Sequence, residues 1–175
     1  TNSMTPGDIH VAAVGAGRMG RGIALSFSLA GAQVTLIDIK ERKDQDFATL
    51  KNTCYEEIER ELGFLAGIGM FEQSSIVSIV ERIHVRRGSD SDWKNSRFNA
   101  VFEGVPEHRE AKQAAFDWMN DNFPDDQLIA STTSTFLVDD LAKMITSPGR
   151  YANAHWLNPA HLMPLVEISR GTESS

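Results

Sequence analysis

The sequence predicts an α/β fold: a doubly wound, mainly parallel sheet with helices on both faces and an inserted helical pair. Three observations predict it. An apolar run from Ile9 to Val14 turns on Gly15-x-Gly17-x-x-Gly20 into a helix-like segment carrying Met19, Ile23, Phe27 and Ala30. A second apolar strand, Gln33 to Ile37, ends in Asp38, eighteen residues beyond Gly20. Strand-like and helix-like segments then alternate along the chain, which is the pattern of a parallel sheet with crossover helices.

The glycine spacing has a physical reason when it joins a strand to a helix. Gly15 permits the tight turn, Gly17 lets the backbone approach a pyrophosphate, and Gly20 lets the helix pack closely on the strand. The N–H groups at the helix start then face the phosphates, with the helix dipole favouring their negative charge. Asp38 stands where a carboxylate accepts hydrogen bonds from an adenosine ribose. Strand, turn, helix and acidic residue together favour a Rossmann-type nucleotide site over a glycine-rich turn with no ligand.

After Asp38, a charged turn from Lys40 to Asp46 leads into a long helical pattern. Phe47, Leu50, Cys54, Ile58, Leu62 and Leu65 fall on one face, and Lys51, Glu56, Glu57, Arg60 and Glu61 on the other. Gly63, Gly67 and Gly69 interrupt it, and a shorter helix is expected from Phe71 to Val80. This pair either walls a substrate site or only covers the sheet. Ile83 to Val85 reads as a strand, Gly88 to Ser96 as a polar loop, and Asn99 to Val105 as a strand. Arg109 to Phe123 returns to helix and Leu128 to Ala130 to strand, ending in the hydroxyl-rich run Ser131 to Thr135. A helix from Phe136 to Ile145 and strands Tyr151 to Trp156 and Leu165 to Ile168 complete the pattern. Ligands of such sheets sit beyond the carboxyl ends of the strands. Asp38, Gly104, Glu107, Ser131 to Ser134 and His155 fall at those ends.

Composition narrows the function classes. The chain has 175 residues, 41% hydrophobic and 23% charged, and a formal charge of −7. That length suits one domain with a substantial core. An acidic chain offers no basic footprint for nucleic acid or an anionic membrane, so neither is expected as a partner. A single cysteine, Cys54, leaves no internal disulfide and fits a reducing, cytoplasmic setting. Lying on the apolar stripe, Cys54 reads as a small buried hydrophobe. No metal-ligand spacing is present. Residues 1–8 read as a tag remnant and tail, 9–170 as the domain, and 171–175 as a tail or linker.

Of the histidines, His10 and His84 lie inside strands and His108 opens a helix, which points to structural or solvated roles. His155 ends an apolar strand just before Trp156-Leu157-Asn158-Pro159. Glu167 lies twelve residues on, within an apolar strand. A buried carboxylate is costly unless paired, and an imidazole on the next strand would pair it, giving an oriented general base. An exposed Glu167 on an edge strand beside a core His155 accounts for the spacing equally well.

GAGRMGRGIA, Asp38, VFEGVPE, ASTTS, and HWLNPA with the trailing PLVE resemble the amino-terminal domain of the 3-hydroxyacyl-CoA dehydrogenases, in order and over nearly the whole chain. The His-x-x-Asn-Pro plus downstream Glu combination is far more specific than the glycine loop. The resemblance implies NAD as cofactor and oxidation of a 3-hydroxyacyl-CoA. It makes His155 the general base, Glu167 the group that orients it, and Ser134 a hydrogen-bond partner of the same substrate oxygen. Gly15, Gly17, Arg18, Met19, Gly20 and Asp38 would hold the adenosine and pyrophosphate. Gly104, Glu107, Lys112 and Asn158 would line the nicotinamide half. A helical second domain is also implied, through which a homo-oligomer would form.

The chain departs from the family pattern at Thr132, where the family has Asn, and in the acidic character of the helical pair, where Lys51 is the one evident basic candidate before Arg60. Relatives acting on free hydroxy acids, such as gulonate 3-dehydrogenase, share the motif set. A non-catalytic nucleotide-binding domain is the alternative from another class. The β-hydroxyacid dehydrogenases, which rely on a catalytic lysine, fit less well beside His155 and Glu167.

Overall fold

The computed structural model describes residues 6–90, 92–106, 108–127 and 129–131. Strand β1 (His10–Val14) leads into helix α1 (Arg18–Leu29) and strand β2 (Gln33–Asp38). Helix α2 (Asp44–Gly67), a 3-10 turn (Gln73–Ser75) and helix α3 (Ile76–Val80) precede strand β3 (Ile83–Arg87). Strand β4 (Ala100–Glu103), helix α4 (Arg109–Asn122) and strand β5 (Ile129–Ser131) follow. The five strands form one sheet in the order β3-β2-β1-β4-β5, every described pairing parallel. Strand order therefore reverses between β1 and β4, and a ligand crevice is expected at that switch point. This is the doubly wound fold that the sequence predicts.

Alternation along the buried strands divides the core into two layers, as a two-faced sheet requires. Val11, Ala13, Val34, Leu36, Ala100 and Phe102 pack with Ile23, Ala24 and Phe27 of α1 and with Cys54, Ile58 and Leu62 of α2. Ala12, Val14, Ile37 and Val101 pack on the other face with Ala115, Phe116 and Met119 of α4.

Several expected boundaries move, each for a local reason. Helix α2 runs unbroken through Gly63 to Gly67. The roughly 1 kcal/mol cost of a glycine inside a helix is outweighed by burial of Cys54, Ile58 and Leu62 on one stripe. The helix stops only at Gly69, whose φ is +86°. There Gly69 N–H donates to the Ala66 carbonyl and Met70 N–H to the Leu65 carbonyl, the paired bonds of a Schellman end. The expected helix from Phe71 to Val80 contracts to the 3-10 turn and the short α3. Strand β4 stops at Glu103, because the next-but-one N–H, on Val105, is taken by the Glu103 carboxylate and Pro106 has none to give. Strand β5 lies one residue later than expected.

The segment read as a polar loop hides a core residue. Trp93, in a 3-10 turn at Trp93–Asn95, is buried and donates its indole N–H to the Gly88 carbonyl at 2.6 Å. Its ring meets Phe98, Trp118 and Phe123. A single aromatic among polar neighbours carries no periodicity, so spacing could not show it. The helix expected at Phe136 to Ile145 and the strands at Tyr151 to Trp156 and Leu165 to Ile168 lie outside the described residues.

Candidate functional site: a glycine-closed cleft at the switch point

Three glycines close the crevice at its base. Gly15 follows β1 with φ of +113°, a conformation L side chains rarely adopt. A Cβ on Gly20 would fall 1.8 Å from the Gly15 carbonyl oxygen, and one on Gly15 would lie 2.9 Å from the Gly104 carbonyl oxygen. A Cβ on Gly104 would in turn press within 3.3 Å of the Gly20 backbone. The end of β1, the start of α1 and the end of β4 therefore meet backbone to backbone. Gly15 N–H is held by the Ile37 carbonyl and Gly104 N–H by that of Val14.

Gly17 is different. It is the extended N-cap of α1, with no side-chain cap, and a Cβ there would meet no described atom within 4 Å. The first helical N–H groups, from Arg18 onward, open beside it. These two facts fit a pyrophosphate: donors are available at a positive helix end, and the room above them is not filled by protein. The cleft holds about 340 Å³ and is lined by residues that include Gly15, Gly17, Arg18, Met19, Asp38 and Gly104. Ile39, Leu50, Val105 and Pro106 give it apolar surface, and the volume lies within the usual range of small-molecule sites.

Asp38 terminates β2 at the cleft, its side chain 6% exposed, and accepts from Arg42 Nε at 2.7 Å. Arg42 is held in turn, its carbonyl accepting from Arg87 Nη2. Arg87 pairs with Asp44 at 2.5 Å and lies over the Phe47 ring, which ties the end of β3 to the start of α2. The pair brings a cation of the charged turn after β2 to the cleft, and opposite charges four residues apart are its signal in the sequence.

Lys112, expected in the nicotinamide half, is only 1% exposed; its ammonium is ion-paired with the fully buried Glu103 and donates to the Val105 carbonyl at 3.3 Å. Buried charges persist when paired and hydrogen-bonded. Glu103 also accepts from Val105 N–H at 3.1 Å, so the pair fixes the backbone around Gly104 from beneath. A carboxylate at the end of an apolar strand, with a lysine in the next helix's first turn, was the legible sign.

A second groove of about 370 Å³ lies between α1 and α2, lined by Arg18, Met19, Arg21, Leu25, Glu57 and Glu61 among others. Arg21 pairs with Glu57 across it at 3.3 Å. Cys54 Sγ donates to the Ala16 carbonyl, in the glycine loop itself, at 3.3 Å. Burial pushes the Cys54 thiol up; nearby Arg21 acts the other way and is outweighed. His10 hydrogen-bonds Thr35 Oγ1 at 2.9 Å, and His108 caps α4 by accepting from Ala111 N–H. Among the described residues, no group of three or more His, Cys, Asp or Glu could hold a metal ion, and no helix is long and apolar enough to cross a membrane. Ser134, His155, Glu167, Asn158 and Glu107 lie outside the described residues.

Comparison with known proteins agrees with the fold. The fatty acid oxidation complex subunit alpha of Pseudomonas putida is 33% identical over 169 residues, which is 96% of this chain but 22% of that one. The chain thus spans about 22% of the length of the curated relatives it matches. Among solved structures, (S)-3-hydroxybutyryl-CoA dehydrogenase from Ralstonia eutropha superposes with a TM-score of 0.72 at 27% identity, covering 95% of this chain and 55% of that one. The 3-hydroxybutyryl-CoA dehydrogenase of Escherichia coli gives 0.71 at 25% identity, over 95% of this chain and 33% of that one. The family model for the NAD binding domain of 3-hydroxyacyl-CoA dehydrogenase matches residues 10–175. The chain belongs to the 3-hydroxyacyl-CoA dehydrogenase family, as its NAD-binding domain.

Proposed function

We propose that this chain is the nucleotide-binding and proton-transfer part of an enzyme that oxidises the 3-hydroxyl of a 3-hydroxyacyl-CoA to a 3-oxo group. The observation that carries the reading is the uncapped start of α1, with open space over Gly17 and Asp38 at the next strand end. NAD bound there would supply the hydride acceptor. The α1 N–H groups, with Arg18 and Met19, hold the pyrophosphate. Asp38 takes the ribose hydroxyls, while Gly104, Glu107 and Asn158 flank the nicotinamide half. Lys112 acts there only by fixing Glu103 and the Val105 carbonyl.

His155 accepts the hydroxyl proton as the hydrogen on C3 leaves with its electron pair. Glu167 holds the opposite ring nitrogen and stabilises the imidazolium that forms, and Ser134 donates to the same substrate oxygen. These roles rest on His155-x-x-Asn158-Pro159 and the downstream Glu167. A second reading, oxidation of a free hydroxy acid, is favoured by α2, where Glu56, Glu57, Glu59 and Glu61 outnumber Lys51 and Arg60. That face would repel the phosphates of coenzyme A.

Titration with NADH, followed by turnover of acetoacetyl-CoA and of gulonate, tests the proposal. NADH should bind, and acetoacetyl-CoA should be the substrate reduced. His155→Gln should keep NADH affinity and lose turnover by about 10²–10⁴-fold, the usual contribution of a general base. Absence of NADH binding would overturn the cleft assignment, and turnover of gulonate alone would decide for the second reading.

A further inference from the structure

We infer that Cys54 and Glu57 of helix α2 are positioning residues for the phosphate-binding turn. They hold the Ala16–Gly17 peptide so that its N–H, and not its carbonyl, is turned to the pyrophosphate. The inference rests on the reading of the cleft as a dinucleotide site with the phosphates at the start of α1.

The Ala16 carbonyl lies just outside the α1 ladder, which opens with Arg21 N–H on the carbonyl of the N-cap Gly17. It accepts instead from side chains: Cys54 Sγ at 3.3 Å and Arg21 Nη1 at 3.5 Å. Arg21 is itself drawn toward α2 by Glu57, at 3.3 Å. Cys54 and Glu57 stand three residues apart and so share one face of α2. A trans peptide is planar, and its C=O and N–H point in opposite directions. Gripping the Ala16 oxygen from the side of α2 therefore directs the Gly17 N–H the other way, and Gly17 lines the cleft. Among the described residues no protein acceptor takes that N–H.

Glycine makes the grip necessary. Turning this peptide over would carry φ of Gly17 from −88° to about +90°, a region that glycine enters freely and other residues rarely. The overturned peptide would present the Ala16 oxygen, an acceptor, to the phosphates. The residue that leaves room for the pyrophosphate thus also leaves the turn free to flip. The two side chains of α2, one directly and one through Arg21, remove that freedom.

The test reads NADH Kd by fluorescence titration, beside thermal melts, on the whole chain and its variants. Cys54→Val keeps apolar packing and removes the donor, so NADH affinity should fall about fivefold, the worth of roughly one net hydrogen bond. Cys54→Ser packs less well but still donates, and its affinity should lie between that of Cys54→Val and the native chain. A thiol that only fills space predicts the reverse order. Glu57 is 42% exposed, so Glu57→Ala should melt with the native chain. It should nevertheless weaken NADH about threefold or more, whereas loss of a carboxylate would by charge alone tighten an anionic ligand. NADH binding that is unchanged or tighter in Glu57→Ala would overturn the inference, as would Cys54→Ser binding more weakly than Cys54→Val. Failure of the native chain to bind NADH would overturn the cleft reading itself, and this inference with it.

Discussion

The same substitution at two glycines of one motif should give opposite results. In Gly20→Ala the new Cβ would sit 1.8 Å from the Gly15 carbonyl oxygen, against a normal heavy-atom contact of about 3.5 Å. That carbonyl cannot retreat freely, because Gly15 N–H is bonded to Ile37 and its Cα faces the Gly104 backbone. Alanine would recover about 1 kcal/mol of helix propensity, but overpacking costs about 1–3 kcal/mol or more, and here the obstacle is backbone. With the cost at the upper end of that range the net loss is about 2 kcal/mol, or a fall in Tm of roughly 4–8 °C at the 2–4 °C per kcal/mol typical of this size. In Gly17→Ala the new Cβ meets no described atom within 4 Å, and φ of −88° is open to alanine. Stability should change by no more than about 1 kcal/mol, the scale of a weakened N-cap. NADH affinity should nevertheless fall at least about tenfold, because the methyl stands where the pyrophosphate approaches. Thermal melting and a fluorescence titration with NADH read the two effects separately. If Gly17→Ala binds NADH like the native chain, the pyrophosphate does not sit at the start of α1. If Gly20→Ala melts with the native chain, the contact with Gly15 is not what closes the turn.

Three further outcomes follow from buried groups. Lys112→Met leaves the buried Glu103 carboxylate without its counter-charge and should cost about 3–5 kcal/mol in urea unfolding, with much of it recovered in the Glu103→Gln/Lys112→Met double variant; native-like stability of the single variant would refute the pairing. Cys54 is fully buried and its thiol is pushed up by burial, so a disulfide reagent should label it only on unfolding, and rapid labelling of the native chain would contradict this. Burial, and secondarily His84, hold the His10 imidazole below its ordinary value, so the unfolded chain takes up that proton first as pH falls. Stability from neutral His10 is therefore complete above about pH 6.5 and lost as pH drops from there through the lower folded value. His10→Gln should flatten that slope in pH-dependent melts, and an unchanged slope would remove His10 as its source.

The parts of the site legible in the sequence were those governed by local rules. Gly15, Gly17 and Gly20 are set by the geometry of one turn, and Asp38 by the length of one βαβ unit. Periodicity likewise placed α1, α2 and α4, because one-sided burial writes itself at three- and four-residue steps. What spacing did not show was the packing that gives residues their roles. Gly104 is needed because β4 passes against Gly20, more than eighty residues earlier. Lys112 is expected in the nicotinamide half, but its burial against Glu103 shows only once α4 packs on β4. Trp93 looks like a loop residue until Phe98, Trp118 and Phe123 gather around it.

The helical pair shows why periodicity alone could not choose between wall and cover. A helix turning every 3.6 residues offers two faces, and α2 uses both. Cys54, Ile58 and Leu62 bury against α1 and the sheet layer, which is the covering role. Glu57 and Glu61, on an adjoining stripe, line the groove facing Arg18 and Arg21. The two faces meet at Ala16, whose carbonyl accepts from Cys54 on α2 and from Arg21 on α1 at 3.5 Å. Arg21 also reaches back to Glu57. Helix α2 is thereby fastened to the glycine loop that precedes α1, through Ala16 and through the Arg21–Glu57 pair.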